Sequence, residues 1–157
     1  MKKQDQQITL SLLVCALLLS SFSCAKKQDE SVTTTASETL AKQRMTIKIS
    51  AQTFTATLLD NYTAKAFLQK LPMTFQMTEL NGNEKYHDLS ASLPAQAGNP
   101  DTIRTGDIML YGSKTLVMFY KDFQTPYNYT KIASIDNTEG FAAALGAENV
   151  TVTLEIN

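Results

Sequence analysis

Two alternating segments lie back to back in the stretch Met45-Thr-Ile-Lys-Ile-Ser-Ala-Gln-Thr-Phe-Thr-Ala-Thr-Leu58. Apolar residues fill every second position from Met45 to Ile49 and again from Phe54 to Leu58, and threonine or lysine fills the positions between them. Because side chains alternate between the faces of a β-strand, each segment has one apolar and one polar face. The stretch therefore predicts an antiparallel hairpin that packs one face on a core and leaves the other in water.

Similar strand patterns recur along the rest of the chain. The segment from Thr115 to Lys121 is apolar on both faces, which predicts a strand in the middle of the sheet. Many short strands separated by turn signals such as Asn81-Gly82-Asn83 favour a mainly β domain, either a closed barrel or a sandwich. Further strands are predicted at residues 74–78, 107–111, 126–135 and 150–154.

Two short helices are predicted among these strands. Apolar residues at helical spacing follow Asn61, a preferred N-cap residue, and continue to Leu71 before Pro72. Pro72 is predicted to end this helix. Asp136 and Glu139 have the spacing of a capping box, which predicts a second helix just after them.

Residues 84–104 show neither a strand nor a helix pattern, and we predict an irregular loop there. A loop of about 20 residues is long for a compact domain, and such loops are usually functional or partly structured. His87, the only histidine, is predicted to be a surface residue of this loop. Glu79 and Glu84 flank the preceding turn. They could form a general acid/base pair, but we expect both carboxylates to be solvated.

The amino-terminal segment has the order of a secretory signal: basic residues, an apolar run from Ile8 to Leu19, and small residues before Cys24. The run is about 12 residues, too short for a spanning helix, which needs roughly 20. The residues ending in Cys24 resemble a bacterial lipobox, in which the cysteine becomes the first mature residue and carries the lipid. An ordinary secreted protein cut near the same point is the alternative. We predict a lipoprotein signal peptide at 1–23, a lipid-anchored flexible tether at 24–44 and a domain at 45–157, located at the outer membrane of the cell envelope.

Charge and cysteine content limit the classes of partner. The chain has 14 Lys+Arg against 15 Asp+Glu and a formal net charge of −1, which favours neither nucleic acid nor an anionic membrane surface. One of the two cysteines, Cys15, lies inside the apolar run, and the other is Cys24. The mature domain would therefore hold no thiol for a disulfide, a metal site or a nucleophile. We predict no metal, no cofactor, and membrane contact through the lipid at Cys24.

Several motifs of the domain resemble the bacterial cyclophilin-like domain family. They include Leu80-Asn-Gly-Asn-Glu-Lys-Tyr86, Gly106-Asp-Ile-Met-Leu-Tyr-Gly112 and Leu116-Val-Met-Phe-Tyr120. The resemblance covers residues 45–157 and implies a closed β-barrel of about eight strands with a helix at each end. It also implies a redox or flavodoxin-like protein as a neighbour or partner.

The resemblance suggests peptidyl-prolyl isomerase activity, but the residues do not support it. Cyclophilins of the eukaryotic type use an arginine in a Phe-His-Arg stretch, and this chain has no such stretch. Its only arginines are Arg44 and Arg104, neither at the corresponding place. A shared fold does not carry activity. No catalytic residue is predicted.

Tyrosines at strand ends and beside loops are the strongest indication of a site. An aromatic ring with a polar tip suits recognition of a ligand, although tyrosine is also a good strand residue at a barrel rim. We predict a cell-envelope lipoprotein that binds a small molecule or an extended peptide at one barrel opening. An atypical prolyl isomerase is the alternative, and a structural partner in an envelope complex is a third interpretation. The predicted ligand-binding residues are Asn83, Glu84, Tyr86, Tyr111, Tyr127 and Tyr129.

Overall fold

The computed structural model describes residues 43–157, and within them ten strands and two helices are present. The predicted signal peptide, Cys24 and the tether as far as residue 42 lie outside the described residues. The first strand begins at Arg44, one residue before the expected start of the domain. The strands are β1 (Arg44–Ile49), β2 (Gln52–Leu58), β3 (Met73–Leu80), β4 (Glu84–Asp88), β5 (Thr102–Ile103), β6 (Asp107–Tyr111), β7 (Thr115–Phe119), β8 (Phe123–Gln124), β9 (Tyr129–Ile135) and β10 (Val150–Ile156), and the helices are α1 (Tyr62–Leu68) and α2 (Phe141–Leu145).

Eight of these strands close a barrel in the order β1-β10-β3-β4-β7-β6-β9-β2. Every pairing between neighbours is antiparallel, including the predicted hairpin β1–β2, in which Ile47 pairs with Phe54. Strands β5 and β8 form a separate two-stranded sheet. The prediction of a mainly β closed barrel of about eight strands with two short helices is confirmed.

Strand β7 lies between β4 and β6, as its two apolar faces predicted. Leu116 and Met118 point into the barrel and belong to its main core. Val117 and Phe119 point the opposite way and belong to a second apolar cluster, which also contains Tyr129. Because successive side chains of a strand alternate between faces, this cluster lies on the outer wall of the barrel, beside the candidate site described below.

Helix α1 begins as its sequence predicted. The Asn61 side chain accepts a hydrogen bond from the Ala64 backbone N–H at 2.8 Å and donates one to the Lys131 carbonyl at 2.8 Å. Phe67 is fully buried against the barrel. The helix ends at Leu68, earlier than predicted, and Leu71 packs against the core from the following turn.

The predicted capping box at the second helix is wrong. Helix α2 begins at Phe141 behind Gly140, which has a left-handed backbone conformation and offers no side-chain cap. The Asp136 carboxylate instead accepts a hydrogen bond from the Thr57 hydroxyl at 2.6 Å. The spacing of Asp136 and Glu139 matches a capping box, but Asp136 contacts strand β2 and does not cap the helix.

The predicted irregular region at residues 84–104 is partly regular. Its first five residues form strand β4, which pairs with β3 and β7. Residues 89–101 follow as a connection that is tied to the barrel by two buried leucines. The Leu89 and Leu93 backbone N–H groups donate to the carbonyls of Lys114 and Ser113 at 2.9 and 2.8 Å.

Candidate functional site

A cavity of about 410 Å³ lies over the outer faces of strands β4, β6, β7 and β9. We call it the tyrosine cavity. Its volume falls within the range of roughly 300–1,000 Å³ that small-molecule sites occupy. Five of the six residues predicted to bind a ligand line it: Glu84, Tyr86, Tyr111, Tyr127 and Tyr129.

Strand register explains why these residues meet. Tyr86 on β4 pairs with Val117 on β7, and Tyr111 on β6 pairs with Tyr129 on β9. Val117 and Tyr129 belong to the outer cluster, so their partners share that outer face. The tyrosine cavity therefore lies on the barrel wall, not at a barrel opening, where we expected it.

Three tyrosines form a continuous aromatic wall. The Tyr111 ring lies 6.2 Å from that of Tyr127 in an edge-to-face arrangement and 5.5 Å from that of Tyr129 in a tilted one. Tyr129 in turn meets Phe119 edge to face at 5.4 Å, which ties the wall to the outer cluster. Tyr127 and Tyr111 remain 58% and 47% exposed, which is high for large aromatic side chains. The wall is thus anchored at Tyr129 and open at Tyr127.

Asn83 is the one predicted site residue that does not line the tyrosine cavity. Its side-chain Oδ1 is buried without a hydrogen-bond partner within residues 43–157, and its carbonyl accepts from the Tyr120 N–H at 2.9 Å. The predicted role of Asn83 in ligand binding stays a prediction, and this cavity adds no support to it. The adjacent turn residue Asn81 lines the cavity in its place.

Sequence reasoning missed the remaining lining residues. Their positions follow from β4 being a strand: Asp88 lies two residues beyond Tyr86 on the same face and pairs with Thr115 on β7. The Thr115 hydroxyl donates to the Asp88 carboxylate at 2.6 Å. Residue alternation from Tyr86 would have found Asp88 had the strand been recognised. The missed lining residues are Leu80, Asp88, Thr115 and Val117, whereas the turn that holds Asn81 was expected at the site.

Glu84 is the most unusual residue of the tyrosine cavity. We expected a solvated carboxylate, but the residue is only 9% exposed. Its carboxylate makes no hydrogen bond or ion pair within residues 43–157. Burial, and next the negative charge of Glu79, raise the pKa of Glu84. Burial and then the charge of Glu84 also raise the pKa of Tyr129. The inner end of the cavity therefore carries an uncompensated carboxylate.

We expect Glu84→Gln to stabilise the free protein at pH 7 by about 1 kcal/mol, the scale of a single polar substitution. The folded-state pKa of Glu84 lies above its ordinary value of 4.5, so the folded state binds the proton more tightly than the unfolded state. The ionised Glu84 carboxylate therefore lowers the free energy of unfolding. This loss of stability is absent below pH 4.5 and fully present above the raised pKa. Urea unfolding of both proteins at pH 7 and near pH 4 should therefore show a gain that disappears in acid. Glu155→Gln is the control: this partly exposed carboxylate is paired with Lys48, so its replacement should show no such gain. A loss of stability in Glu84→Gln at pH 7 would contradict this account.

A second polar group lies on the inner side of the same strands. Lys85 is fully buried, and its ammonium group donates to the Glu79 carboxylate and, at 2.8 Å, to the Glu148 carbonyl. The Tyr120 hydroxyl donates to the other Glu79 oxygen at 2.8 Å. Burial and then this hydrogen bond raise the pKa of Tyr120 to about 12. Glu79 and Glu84 thus face opposite sides of the sheet and do not form an acid/base pair in one cavity.

The remaining candidates lie away from the tyrosine cavity. Arg104 is exposed and faces Asp122 at 3.7 Å, and it does not line the cavity. His87 is a half-buried residue of β4 instead of a loop residue: its ring stacks on Phe75 with centroids 4.4 Å apart. Within residues 43–157, no group of three or more His, Cys, Asp or Glu side chains could hold a metal ion. Neither described helix is long and apolar enough to cross a membrane.

The architecture defines a class of protein, a closed antiparallel barrel with a concave site on its outer wall. A model of the cyclophilin-like family matches residues 47–155. The chain belongs to the cyclophilin-like family. It is also similar to the solution structure of the hypothetical protein AF2241 from Archaeoglobus fulgidus, with 18% identity and a TM-score of 0.58 over 74% of this chain and 96% of that chain. At that identity the likeness shows the fold alone. No curated protein matches the chain.

Proposed function

We propose that the domain binds a small molecule or an extended peptide in the tyrosine cavity and performs no chemistry of its own. The observation that carries the proposal is the open aromatic wall of Tyr111, Tyr127 and Tyr129, two of whose rings remain about half exposed. Rigid rings with hydroxyl tips provide contact area at a small cost in conformational entropy. A ligand that covers them would remove apolar surface from water.

The position of the wall on paired strands supports binding more than packing. Tyr111 and Tyr129 are directly paired across β6 and β9, so the backbone ladder holds their rings in place before a ligand arrives. A pre-organised site loses little freedom on binding. Tyrosines that served only as strand residues would not need a cavity between them. The tyrosine cavity is also lined by a largely buried carboxylate, Glu84.

The alternative activity, prolyl isomerisation, receives no support from the arginines. Arg104 lies outside the tyrosine cavity, and Arg44 lies on β1, on the far side of the barrel order from β7. An electrophilic group beside the imide is what a cyclophilin-type mechanism would need. The lining of the cavity offers hydroxyls, an amide and carboxylates instead.

We propose that a lipid on Cys24 holds this barrel at the bacterial outer membrane. The signal-like order of residues 1–23 and the small residues before Cys24 support the anchor. The Ser/Thr-rich composition of residues 25–44 supports a tether, because such a segment buries too little apolar surface to order itself. A redox or flavodoxin-like partner remains part of the proposal on the family resemblance alone.

We expect Tyr127→Ala to weaken ligand binding about tenfold, which corresponds to about 1.4 kcal/mol of lost ring contact. A panel of aromatic fragments and tetrapeptides, read by amide chemical shifts of the full chain, would identify binders. Hits should shift residues of β4, β6, β7 and β9. Because Tyr127 is 58% exposed, its loss should change the unfolding free energy little.

Tyr62→Ala is the matched control. Tyr62 is also a surface tyrosine, 72% exposed, but it lies on α1 outside the tyrosine cavity. It should leave the affinity of every hit unchanged. Hits that cluster elsewhere on the barrel, or that lose equal affinity in both variants, would refute the proposed site.

A further inference from the structure

We infer that the ligand of the tyrosine cavity is an organic cation, an amine or quaternary ammonium group carried on an apolar body. The inference rests on the proposed binding function and names the chemical class of the ligand. Three features of the cavity carry it: the sign of its charges, the state of Glu84 and the arrangement of its aromatic rings.

All charged side chains in the lining have the same sign. The lining contains two carboxylates, Glu84 and Asp88, and no lysine, arginine or histidine. Two neighbouring ammonium groups are engaged elsewhere: Lys85 binds Glu79 on the inner side of the sheet, and Lys131 binds Asp107 at 2.6 Å. The exposed Lys114, next to Thr115 in sequence, does not line the cavity. An anionic ligand would therefore meet repulsion without compensation, whereas a cation would meet attraction at both ends of the cavity.

The Glu84 carboxylate is free to bind a cationic group of a ligand. Glu84 is only 9% exposed, it lines the cavity, and its carboxylate has no hydrogen-bond or ion-pair partner within residues 43–157. A carboxylate that is largely withdrawn from water and has no partner is unfavourable, and the part of it that stays accessible faces the cavity. Burial raises the pKa of Glu84, and a bound cation would act in the opposite direction. An ammonium group of a ligand would provide the ion-pair partner that Glu84 lacks.

The tyrosine rings suit the same ligand. Ring faces carry negative electrostatic potential and attract ammonium groups within about 6 Å of the centroid, and cages of several rings recognise quaternary ammonium ligands. Tyr86, Tyr111, Tyr127 and Tyr129 line the cavity together with the aliphatic side chains of Leu80 and Val117. The tyrosine rings of the cavity would contact the charged group of the ligand, and its aliphatic side chains would contact the apolar body.

A metal ion does not fit this cavity. Glu84 and Asp88 lie four residues apart on one strand, which places their backbones about 13 Å from each other. One ion cannot bridge that distance. Asp88 is exposed and is already hydrogen-bonded by Thr115, so Glu84 is the principal charge partner. An elongated organic cation can reach Glu84 while its body contacts the tyrosines.

Three ligands with one skeleton test the inference. Phenethylamine, 2-phenylethanol and 3-phenylpropionate place a cation, a neutral hydroxyl and an anion on the same phenylethyl body. We would titrate each into the full chain at pH 7.5 and low salt, and follow amide chemical shifts. The amine should bind at least tenfold more tightly than the alcohol, and the carboxylate more weakly than either. N-acetyl-lysine amide, compared with phenethylamine, distinguishes a peptide side chain from a free amine as the source of the cation.

Glu84→Gln links the charge preference to one residue. It should reduce the preference for the amine over the alcohol from at least tenfold to about twofold. Asp88→Asn should have a smaller effect, and Glu155→Gln, at a partly exposed carboxylate of β10 outside the cavity, should have none. Thermal unfolding of each variant would show that the fold is kept.

The outcomes separate the two proposals. Equal affinities for amine and alcohol, or tighter binding of the carboxylate, would overturn the cation inference and leave the binding function standing. An unchanged preference in a folded Glu84→Gln protein would also overturn it. If neither these ligands nor the fragment panel shift any residue of the tyrosine cavity, the binding function itself fails.

Discussion

Glu79→Ala is expected to lower the free energy of unfolding by about 3 kcal/mol. The Lys85 side chain is fully buried, and the Glu79 carboxylate is the only charged group bound to its ammonium within residues 43–157. The same carboxylate accepts from the Tyr120 hydroxyl and from the Gly82 N–H, each at 2.8 Å. Removing one member of a buried pair typically costs about 3–5 kcal/mol, because the other charge stays buried. Glu79 is 22% exposed, which places the expectation at the lower end.

The control for this prediction is an exposed ion pair on the same barrel. Lys48 and Glu155 lie 2.7 Å apart on β1 and β10, and both side chains are well exposed. Lys48→Ala should cost less than about 1 kcal/mol, as exposed pairs do. Urea unfolding at pH 7 measures both variants. Similar costs for the two pairs would mean that the buried pair stabilises no more than a surface one.

The pH dependence of the Glu79 effect has a definite sign. Burial alone would raise the pKa of Glu79, but hydrogen bonds from Lys85, Tyr120 and Gly82 together lower it. A lowered folded-state pKa means that the carboxylate stabilises the fold above its ordinary value of 4.5, and that this contribution is lost as the pH falls through the folded-state value. The difference between wild type and Glu79→Ala should therefore shrink in acid.

Cys24→Ala is expected to abolish lipid attachment and leave the barrel folded. If Cys24 carries the lipid, labelled fatty acid should enter the wild-type protein and should not enter this variant. Each buried methylene of an acyl chain contributes about 0.8 kcal/mol to membrane binding, so the loss of the chains removes the anchor. Fatty-acid labelling of cells with fractionation of membranes measures the effect, and far-ultraviolet circular dichroism reports the barrel.

Cys15→Ala provides the matched control. Cys15 is the other cysteine of the chain and lies inside the apolar run, so its replacement should keep both label and membrane association. Fatty acid retained by Cys24→Ala, together with tight membrane association, would refute the anchor. Label lost in both variants would point to a failure of export and not to the lipid site.

Local patterns were reliable where one face of an element met the core. The hairpin β1–β2 was predicted correctly because a shift of its register by one residue would expose every apolar side chain of its inner face to water. The central place of β7 followed from its two apolar faces, and the start of α1 from the Asn61 cap. These features depend on neighbours in the chain, which is the information that a sequence carries directly.

Strand β4 could not be predicted from the pattern of its own residues. Four of the five residues in Glu84-Lys85-Tyr86-His87-Asp88 are ionisable acids or bases of the kind that favour a loop. The segment is a strand because β3 and β7 pair with it on both sides. Its alternation then sends Lys85 into the barrel and Glu84 into the tyrosine cavity. No neighbour in the sequence could indicate that one charge would be paired and the other left without a partner.

The residue patterns by themselves determined a mainly β domain, its first hairpin and the tyrosines that meet in one place, and the family resemblance added the closed barrel. Only the tertiary structure decided that the tyrosines meet on the outer wall, that Asp88 and Val117 join them, and that Asn83 does not. The physical reason is the range of the forces. Alternation and capping act over a few residues, whereas the register between β4, β7, β6 and β9 sets which distant side chains share a face, and burial then sets their charge state.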